Sequence, residues 1–462
     1  MEFINLTRNV EIGANCYALK ASGKCFLLDA GMHPTRTGTE AQPNFAAVAG
    51  ISFDGAILTH AHQDHVGSLP VFTQTAPETP VFMTAATSSI AEIMLHNSVN
   101  VMLRQRDEMN LVAEGYPLFT HRGADLCEKQ WRICPVNHPV SFDGERISRK
   151  EAEQGEPYFE LFDAGHILGS TGVLLSAEGK TFFYTGDVNF DDQTLLKGAL
   201  FPQEPPDILL LESTRGDAPV PEGFTRAAEE KRFAKALTEA IQSKGILLIP
   251  VFALGKTQEI LGMLWKFRQE GLIPQLPIYI GGLSAKITGI YDDFRNNCHR
   301  HYPELRLFEE MSPYVLAGSD AASHPLRNEG IYLLSSGMMT ENTLSNIFAR
   351  QVLPDPDSSI FFVGYSDPES PAGRVRAAKD GEGVSLNSKL PPVTRRCRVE
   401  AFQFSAHSSR ESLLSYATQL KPKKILLTHG DPLAVEWMKA SLAKALPGTE
   451  AIIPEPGKWL TL

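Results

Sequence analysis

Residues Thr59-His60-Ala61-His62-Gln63-Asp64-His65-Val66-Gly67 follow directly on the apolar run Ala56-Ile57-Leu58. A lone histidine is usually a satisfied structural residue, but three beside a carboxylate in one turn of chain repel one another or lie unpaired unless a cation draws them together. Metal ligation is the simplest account. His60 and His62 are one residue apart and can converge on one ion, while Asp64 and His65 face another direction and can take a second. The donors are imidazole and carboxylate with no thiolate, a set that suits zinc, with manganese or iron as alternatives.

Outward from this turn the chain alternates short apolar runs with helical periodicity. Tyr17-Ala18-Leu19, Cys25 to Leu28, Val81-Phe82-Met83, Gly172 to Leu175 and Thr181 to Tyr184 read as strands. Ile90, Ile93, Met94 and Val101 recur at helix-face spacing between Ser88 and Met102. This is an α/β signature. Ile208 to Leu211 is apolar throughout, the pattern of a strand buried on both faces, and it ends at Glu212. Residues 217–395 carry a second α/β series, with strands at Ile246 to Ile249, Ile278 to Ile280, Ile331 to Leu334 and Ile360 to Val363, and helices over Phe233 to Ile241 and from Thr257. The expected organisation is therefore a first domain over 1–216, a second over 217–395, and a return to the first over 396–462. Arg395, Arg396 and Arg398 form a small basic cluster that reads as a solvated face at the junction.

Composition narrows the class. Hydrophobic residues make up 43% of the 462 residues and charged residues 21%, which excludes a disordered, collagenous or coiled-coil chain. No run approaches the ~18 apolar residues of a membrane helix, and the start MEFINLTRNV has no basic leader or apolar block, so a soluble cytoplasmic protein with no membrane partner is expected. The six cysteines form no C-x-x-C pair and read as reduced structural residues. A net charge of −11 argues against a broad electrostatic grip on nucleic acid, so any such substrate is held in a local groove or by bound metal.

The H-x-H-x-D-H turn resembles the metallo-β-lactamase superfamily, and further matches follow in order. Asp29, at the end of the Cys25 to Leu28 run, matches the carboxylate that orients a metal-bound histidine. His166 in Asp163-Ala164-Gly165-His166 and Asp187 in Tyr184-Thr185-Gly186-Asp187 match the third and fourth motifs. Three later places resemble the β-CASP branch of nucleic-acid-processing nucleases: Glu212-Ser213-Thr214, Phe404-Ser405-Ala406-His407-Ser408 and Leu427-Thr428-His429-Gly430. The resemblance is to its bacterial ribonucleases and to the 73-kDa subunit of the cleavage and polyadenylation factor. It implies an αβ/βα four-layer sandwich with an inserted α/β β-CASP cap and an active site in the cleft between the two.

By the same resemblance, His60, His62 and His166 hold one of two zinc ions, with manganese an alternative. Asp64, His65 and His429 hold the other, and Asp187 bridges them. The pair would activate a shared water and clamp phosphate oxygens for RNA cleavage, internally or from the 5′ end. Asp64, His407 and Glu212 take catalytic roles, with His407 held by Glu212 to stabilise the phosphate or protonate the leaving oxygen. Ser335, Ser336 and Arg374 are candidate phosphate contacts. The histidine at 429 tilts the expectation to RNA, single-stranded, over DNA. Self-association into a homo-oligomer is compatible with all of this. Arg215, Lys256, Gly281 to Ser284 and Glu341-Asn342 depart from the branch's usual residues and bear on substrate preference. The competing classes are a DNA-acting β-CASP nuclease, a small-molecule metallohydrolase with the cap as a lid, and a non-catalytic scaffold subunit, a type that typically lacks metal ligands.

Overall fold

Strand residues that alternate between two apolar layers build most of the molecule. In Lys180–Tyr184, Phe182 and Tyr184 enter one core and Phe183 the other; in Ile208–Glu212, Ile208 and Leu210 enter the first and Leu209 and Leu211 the second. This period of two is the geometry of an extended strand, and burial on both sides explains the unbroken apolar run. The chain, seen in a computed structural model, is described over residues 1–108, 116–318, 321–326 and 330–462.

Two compact units emerge. The first comprises residues 1–192, 196–220 and 407–462, and the second residues 193–195 and 221–406. Two seven-stranded sheets form the first unit. One runs in the order Trp459–Thr461, Glu2–Asn5, Tyr17–Ala21, Lys24–Leu28, Gly55–Ile57, Val81–Met83 and Trp131–Ile133. The other runs Glu450–Ile452, Lys424–Thr428, Ile208–Glu212, Lys180–Tyr184, Thr171–Ala177, Tyr158–Asp163 and Val140–Ser141. Their facing surfaces pack rings across the layer, Phe3 on Phe182 at 6.0 Å, Tyr17 on Tyr184 at 5.4 Å and Phe82 on Phe159 at 5.0 Å. On the outer side of the second sheet, Leu413, Ala417 and Leu420 of helix Arg410–Leu420 and Val435, Met438 and Leu442 of helix Pro432–Ala445 present stripes at helical spacing to Leu209, Leu211 and Leu427. Helices Leu69–Thr75 and Ala85–Glu108 each pack on His121–Glu128. This is the layered α/β sandwich the sequence implied.

The second unit has a six-stranded parallel sheet in the order Tyr314–Leu316, Ile278–Gly281, Ile331–Leu334, Leu247–Pro250, Ser359–Phe362 and Arg398–Ala401. The last strand runs through Arg398 of the basic cluster. It pairs with Ser359–Phe362, so the chain rejoins the first unit at His407, later than the expected residue 396. Arg398 is spoken for, paired with Glu239 at 2.8 Å and with Glu400.

A buried carboxylate ties residues 193–195 into this second unit. Glu259, 3% exposed, accepts from the Thr194 amide at 2.9 Å, the Thr194 hydroxyl at 2.8 Å and the Leu195 amide at 3.4 Å, and it pairs with Arg226. Burial pushes its carboxyl up, but Arg226 and the Thr194 amide outweigh burial and hold it below its ordinary value. The stabilisation is thus present above the unfolded carboxyl pKa and lost as pH falls through the lower folded one. Glu259→Gln is expected to cost about 3 kcal/mol in urea unfolding at pH 7, because Arg226 loses its buried partner. That difference should shrink steadily on acidification.

Candidate metal centre

Six chain segments deliver the centre, each at or just beyond the end of a strand of the first unit. Asp29 follows Lys24–Leu28, His60 follows Gly55–Ile57, His166 follows Tyr158–Asp163, Asp187 follows Lys180–Tyr184, Glu212 closes Ile208–Glu212, and His429 follows Lys424–Thr428. Asp29 and His429 adopt left-handed backbone, with φ of 57° and 49°, a conformation that costs a non-glycine residue and persists only where its surroundings enforce it. The enforcement is visible. The Ala30 amide donates to the His65 carbonyl at 2.7 Å, Met32 to Gln63 at 2.9 Å and Asn15 to Asp64 at 2.9 Å. At Gly31 a Cβ would stand 1.7 Å from the Asp64 carbonyl oxygen, so glycine is required there.

Two groups of ligand atoms result. Nδ1 of His62 lies 3.1 Å from Nε2 of His60 and 3.0 Å from Nε2 of His166. Oδ2 of Asp187 stands 3.5 Å and 3.7 Å from those two Nε2 atoms. Oδ1 of the same carboxylate faces the second group, 3.4 Å from Nε2 of His65 and 3.1 Å from Nδ1 of His429, while Oδ2 of Asp64 is 3.3 Å from Nε2 of His429. Within each of the groups His60, His62, His166, Asp187 and Asp64, His65, His429, the ligand atoms lie within 4.8 Å of one another.

The donor chemistry fits divalent metal. Burial, reinforced by neighbouring imidazoles, holds His60 well below its ordinary pKa; burial pulls His62 down to about 4 against Asp64 and Asp187. These rings are therefore neutral at pH 7, with nitrogen lone pairs converging. Buried Oδ1 of Asp187 accepts no well-aligned hydrogen bond among the described residues, although imidazole nitrogens of His429 and His65 stand 3.1 Å and 3.4 Å away, an under-satisfied oxygen of the kind a cation satisfies. At His65 burial is outweighed by Asp187, Asp29 and Asp64, which raise its pKa well above the ordinary value. Opposed preferences among adjacent imidazoles mark a place built around positive charge.

Around the ligands sits a set of orienting bonds. Oδ2 of Asp29 accepts from His65 Nδ1 at 2.8 Å, from the Thr59 hydroxyl at 2.8 Å and from the Tyr184 hydroxyl at 2.8 Å, while Oδ1 accepts the Thr59 amide at 2.7 Å. Thr214 Oγ1 is 2.8 Å from Nδ1 of His429, and the Asn15 amide nitrogen lies 3.1 Å from the Asp64 carbonyl. Thr59, Tyr184, Thr214 and Asn15 were not singled out from sequence as site residues. Thr59, Tyr184 and Thr214 lie inside the quoted motif stretches, but which way they point depends on strand pairing.

His407 and Glu212 come together beside this centre. Nδ1 of His407 is 3.1 Å and 3.2 Å from the two oxygens of fully buried Glu212, and its Nε2 is 3.9 Å from Oδ2 of Asp187. Glu212 also accepts from the amides of Val188 at 2.8 Å and Thr214 at 3.3 Å, and Ser408 bonds to Val188 and Phe190, which seats His407. Burial pulls the His407 imidazole down, but Glu212 and Asp187 prevail and push it up to about 9. Arg215, where the branch usually carries tyrosine, is half-buried, and its guanidinium makes no hydrogen bond or ion pair among the described residues. Burial lowers its pKa against the pull of Glu411, Glu212 and Asp191.

The remaining sequence candidates lie in the second unit. Ser336 Oγ accepts the Thr340 amide at 2.9 Å, and the Ser335 carbonyl accepts the Ser345 amide at 3.1 Å, so both shape the turn after Ile331–Leu334. Arg374 spends Nε on the Ser385 carbonyl at 2.9 Å and a second nitrogen on that of Glu369. Lys256 donates to the Phe404 carbonyl, and burial, against Glu259, lowers it to about 8.

Comparison with known proteins agrees with this architecture. Residues 10–85 match the model of the metallo-beta-lactamase superfamily, residues 257–375 that of the Beta-Casp domain, and residues 392–454 that of the Zn-dependent metallo-hydrolase RNA specificity domain. The chain therefore carries metallo-β-lactamase, Beta-Casp and RNA specificity regions in that order. It is 28% identical over 450 residues to "Endoribonuclease ysh1" of Schizosaccharomyces pombe, covering 96% of this chain and 56% of that protein. It is 28% identical over 455 residues to "Cleavage and polyadenylation specificity factor 73" of Drosophila melanogaster, covering 94% and 60%. The chain thus spans less than two thirds of the length of these relatives. Among solved structures, a protein of unknown function from Enterococcus faecalis V583 has the same fold, with a TM-score of 0.55 at 13% identity over the whole of both chains.

A raised histidine pKa in the folded state means the His407–Glu212 pair stabilises fully below the ordinary imidazole value of ~6.5, and the effect fades as pH rises through about 9. In metal-free protein, 15N-detected titration should therefore find His407 protonated at pH 7. Glu212→Gln should bring its midpoint down by at least one unit.

Proposed function

We propose that the chain is a divalent-metal-dependent phosphodiesterase that cleaves RNA, with two zinc ions, or manganese in their place, as its physiological metals. The observation that carries this reading is the placement of the His407–Glu212 pair against a centre of seven histidine and aspartate ligands, with Asp187 facing both groups. His60, His62 and His166 would hold one ion, Asp64, His65 and His429 the other, with Asp187 shared. Bound there, the ions would supply Lewis acidity towards phosphate oxygens and lower the pKa of a nucleophilic water.

The chain's own residues do the rest. Glu212 keeps the His407 proton in place by holding Nδ1, which leaves the opposite nitrogen facing the centre, suited to steady a phosphate oxygen or protonate the departing one. Asp29 fixes the ring of His65, and Thr214 that of His429. The guanidinium of Arg215 offers planar donors to a backbone phosphate near the scissile one. The RNA specificity domain match and relatives named as endoribonucleases support RNA as substrate and internal cleavage; single-stranded RNA is the expected form, with 5′ trimming a further mode. No helix of the described residues is long and apolar enough to cross a membrane.

The test is a cleavage time course on 5′- and 3′-labelled single-stranded RNA, with matched DNA, using zinc- or manganese-loaded protein. Internal fragments from RNA are expected, and His62→Ala should lose roughly a hundredfold or more, since even partners of a ligand are worth 10–100-fold. Fully metallated protein that leaves RNA intact while turning over a lactone or thioester would overturn the assignment. Arg215→Ala should raise KM several-fold with little change in kcat and flatten the salt dependence of binding by about one phosphate contact. With a net charge of −11 the wild-type slope should itself be shallow.

A further inference from the structure

The hydroxyl of Tyr184 reaches from one sheet of the sandwich to the other. Tyr184 ends the strand Lys180–Tyr184 of the second sheet, and Asp29 follows Lys24–Leu28 of the first; between them runs a 2.8 Å hydrogen bond from the phenol to Oδ2. Both groups are inaccessible to solvent, Tyr184 at 1% and Asp29 at 2% exposure. A buried phenol donor without an acceptor is costly, as is a carboxylate short of donors, so each specifies the position of the other. Edge-to-face packing of Tyr17 on the Tyr184 ring at 5.4 Å fixes the direction of the hydroxyl.

The two halves of the metal centre divide along the same line. His60, His62, Asp64 and His65 project from the first sheet's connections, whereas His166, Asp187 and His429 project from those of the second. Inside the second ligand group, His65 must therefore meet Asp187 and His429 across the sandwich. Its ring is aimed by Asp29, whose Oδ2 binds His65 Nδ1 and the Tyr184 hydroxyl together, each at 2.8 Å. Tyr184 stands three residues before Asp187, so one strand end carries both the shared carboxylate and the donor that aligns the opposing half.

We infer that Tyr184 is a positioning residue for the second metal subsite: through Asp29 it sets the tautomer and direction of His65 relative to Asp187 and His429. This inference rests on the two-ion reading of the centre. It separates the subsites by directness: Asp29 bonds His65 itself, but meets the first group through Thr59, whose hydroxyl is 3.1 Å from Nδ1 of His60. Removing only the phenolic oxygen should leave the first group as it is.

The experiment is zinc binding by full-length wild type and Tyr184→Phe in competition with a chromophoric chelator, together with 15N spectra of histidine-labelled metal-free protein. Wild type should take up two ions. Tyr184→Phe should retain the tighter or looser site formed by His60, His62 and His166 unchanged and bind the other ion about tenfold or more weakly, in line with the value of partners behind ligands. The His65 ring resonances should also shift in Tyr184→Phe while those of His60, His62 and His166 stay in place. Equal affinities for both ions within twofold, or equal weakening of both, would overturn the inference while leaving the two-ion centre standing. A wild type that binds fewer than two ions would overturn the centre itself, and the inference with it. If Tyr184→Phe fails to fold, Asp29→Asn replaces it and must show the same one-sided loss, with unchanged affinities again counting against the role.

Discussion

Asp187 holds one carboxylate between two clusters of imidazoles, and nearly everything around it follows from keeping those groups close. Imidazole nitrogens packed to about 3 Å of one another around a buried carboxylate do not hold together by themselves. The fold holds them by covalent and packing constraint. Each comes from the end of a strand whose apolar residues are locked into one of two cores, so the ligands cannot separate without disturbing the sheets.

The same constraint explains the backbone. Asp29 and His429 accept left-handed conformations, and Gly31 lies against the Asp64 carbonyl, because the turns must bring side chains inward over a distance that ordinary strand extensions do not allow. Strained positions gather at the centre, and the supporting hydrogen bonds of Asp29, Thr214 and Asn15 gather there too. The His407–Glu212 pair differs in kind. Its polar atoms satisfy one another and the amides of Val188 and Thr214, giving a fixed positive charge next to a site whose other groups are poised for a cation.

Much of this was legible in the residue string. The H-x-H-x-D-H turn announces metal because the chemistry of its residues leaves few alternatives, and the apolar run before Glu212 announces a doubly buried strand. Other features were not. The strands Glu2–Asn5 and Trp459–Thr461 are four and three residues long and pair the two ends of the described chain, a contact no local pattern carries. Arg398 looks like part of a solvated basic cluster, yet it stands on an edge strand bonded to Ser359–Phe362. Ser335, Ser336 and Arg374 read as phosphate contacts, and only the fold shows that the Ser336 hydroxyl, the Ser335 carbonyl and two nitrogens of Arg374 also hold turns of the second unit.

What the sequence determined by itself was the list of candidate ligands, their order along the chain and the α/β character of both series of elements, since side-chain chemistry and periodicity are local properties. Tertiary structure alone decided which oxygen of Asp187 faces which group, that Glu212 meets His407 across 195 positions, and that a tyrosine of one sheet steadies an aspartate of the other. Those are facts about direction and distance between segments remote in sequence. They exist only once two sheets have closed on a shared core.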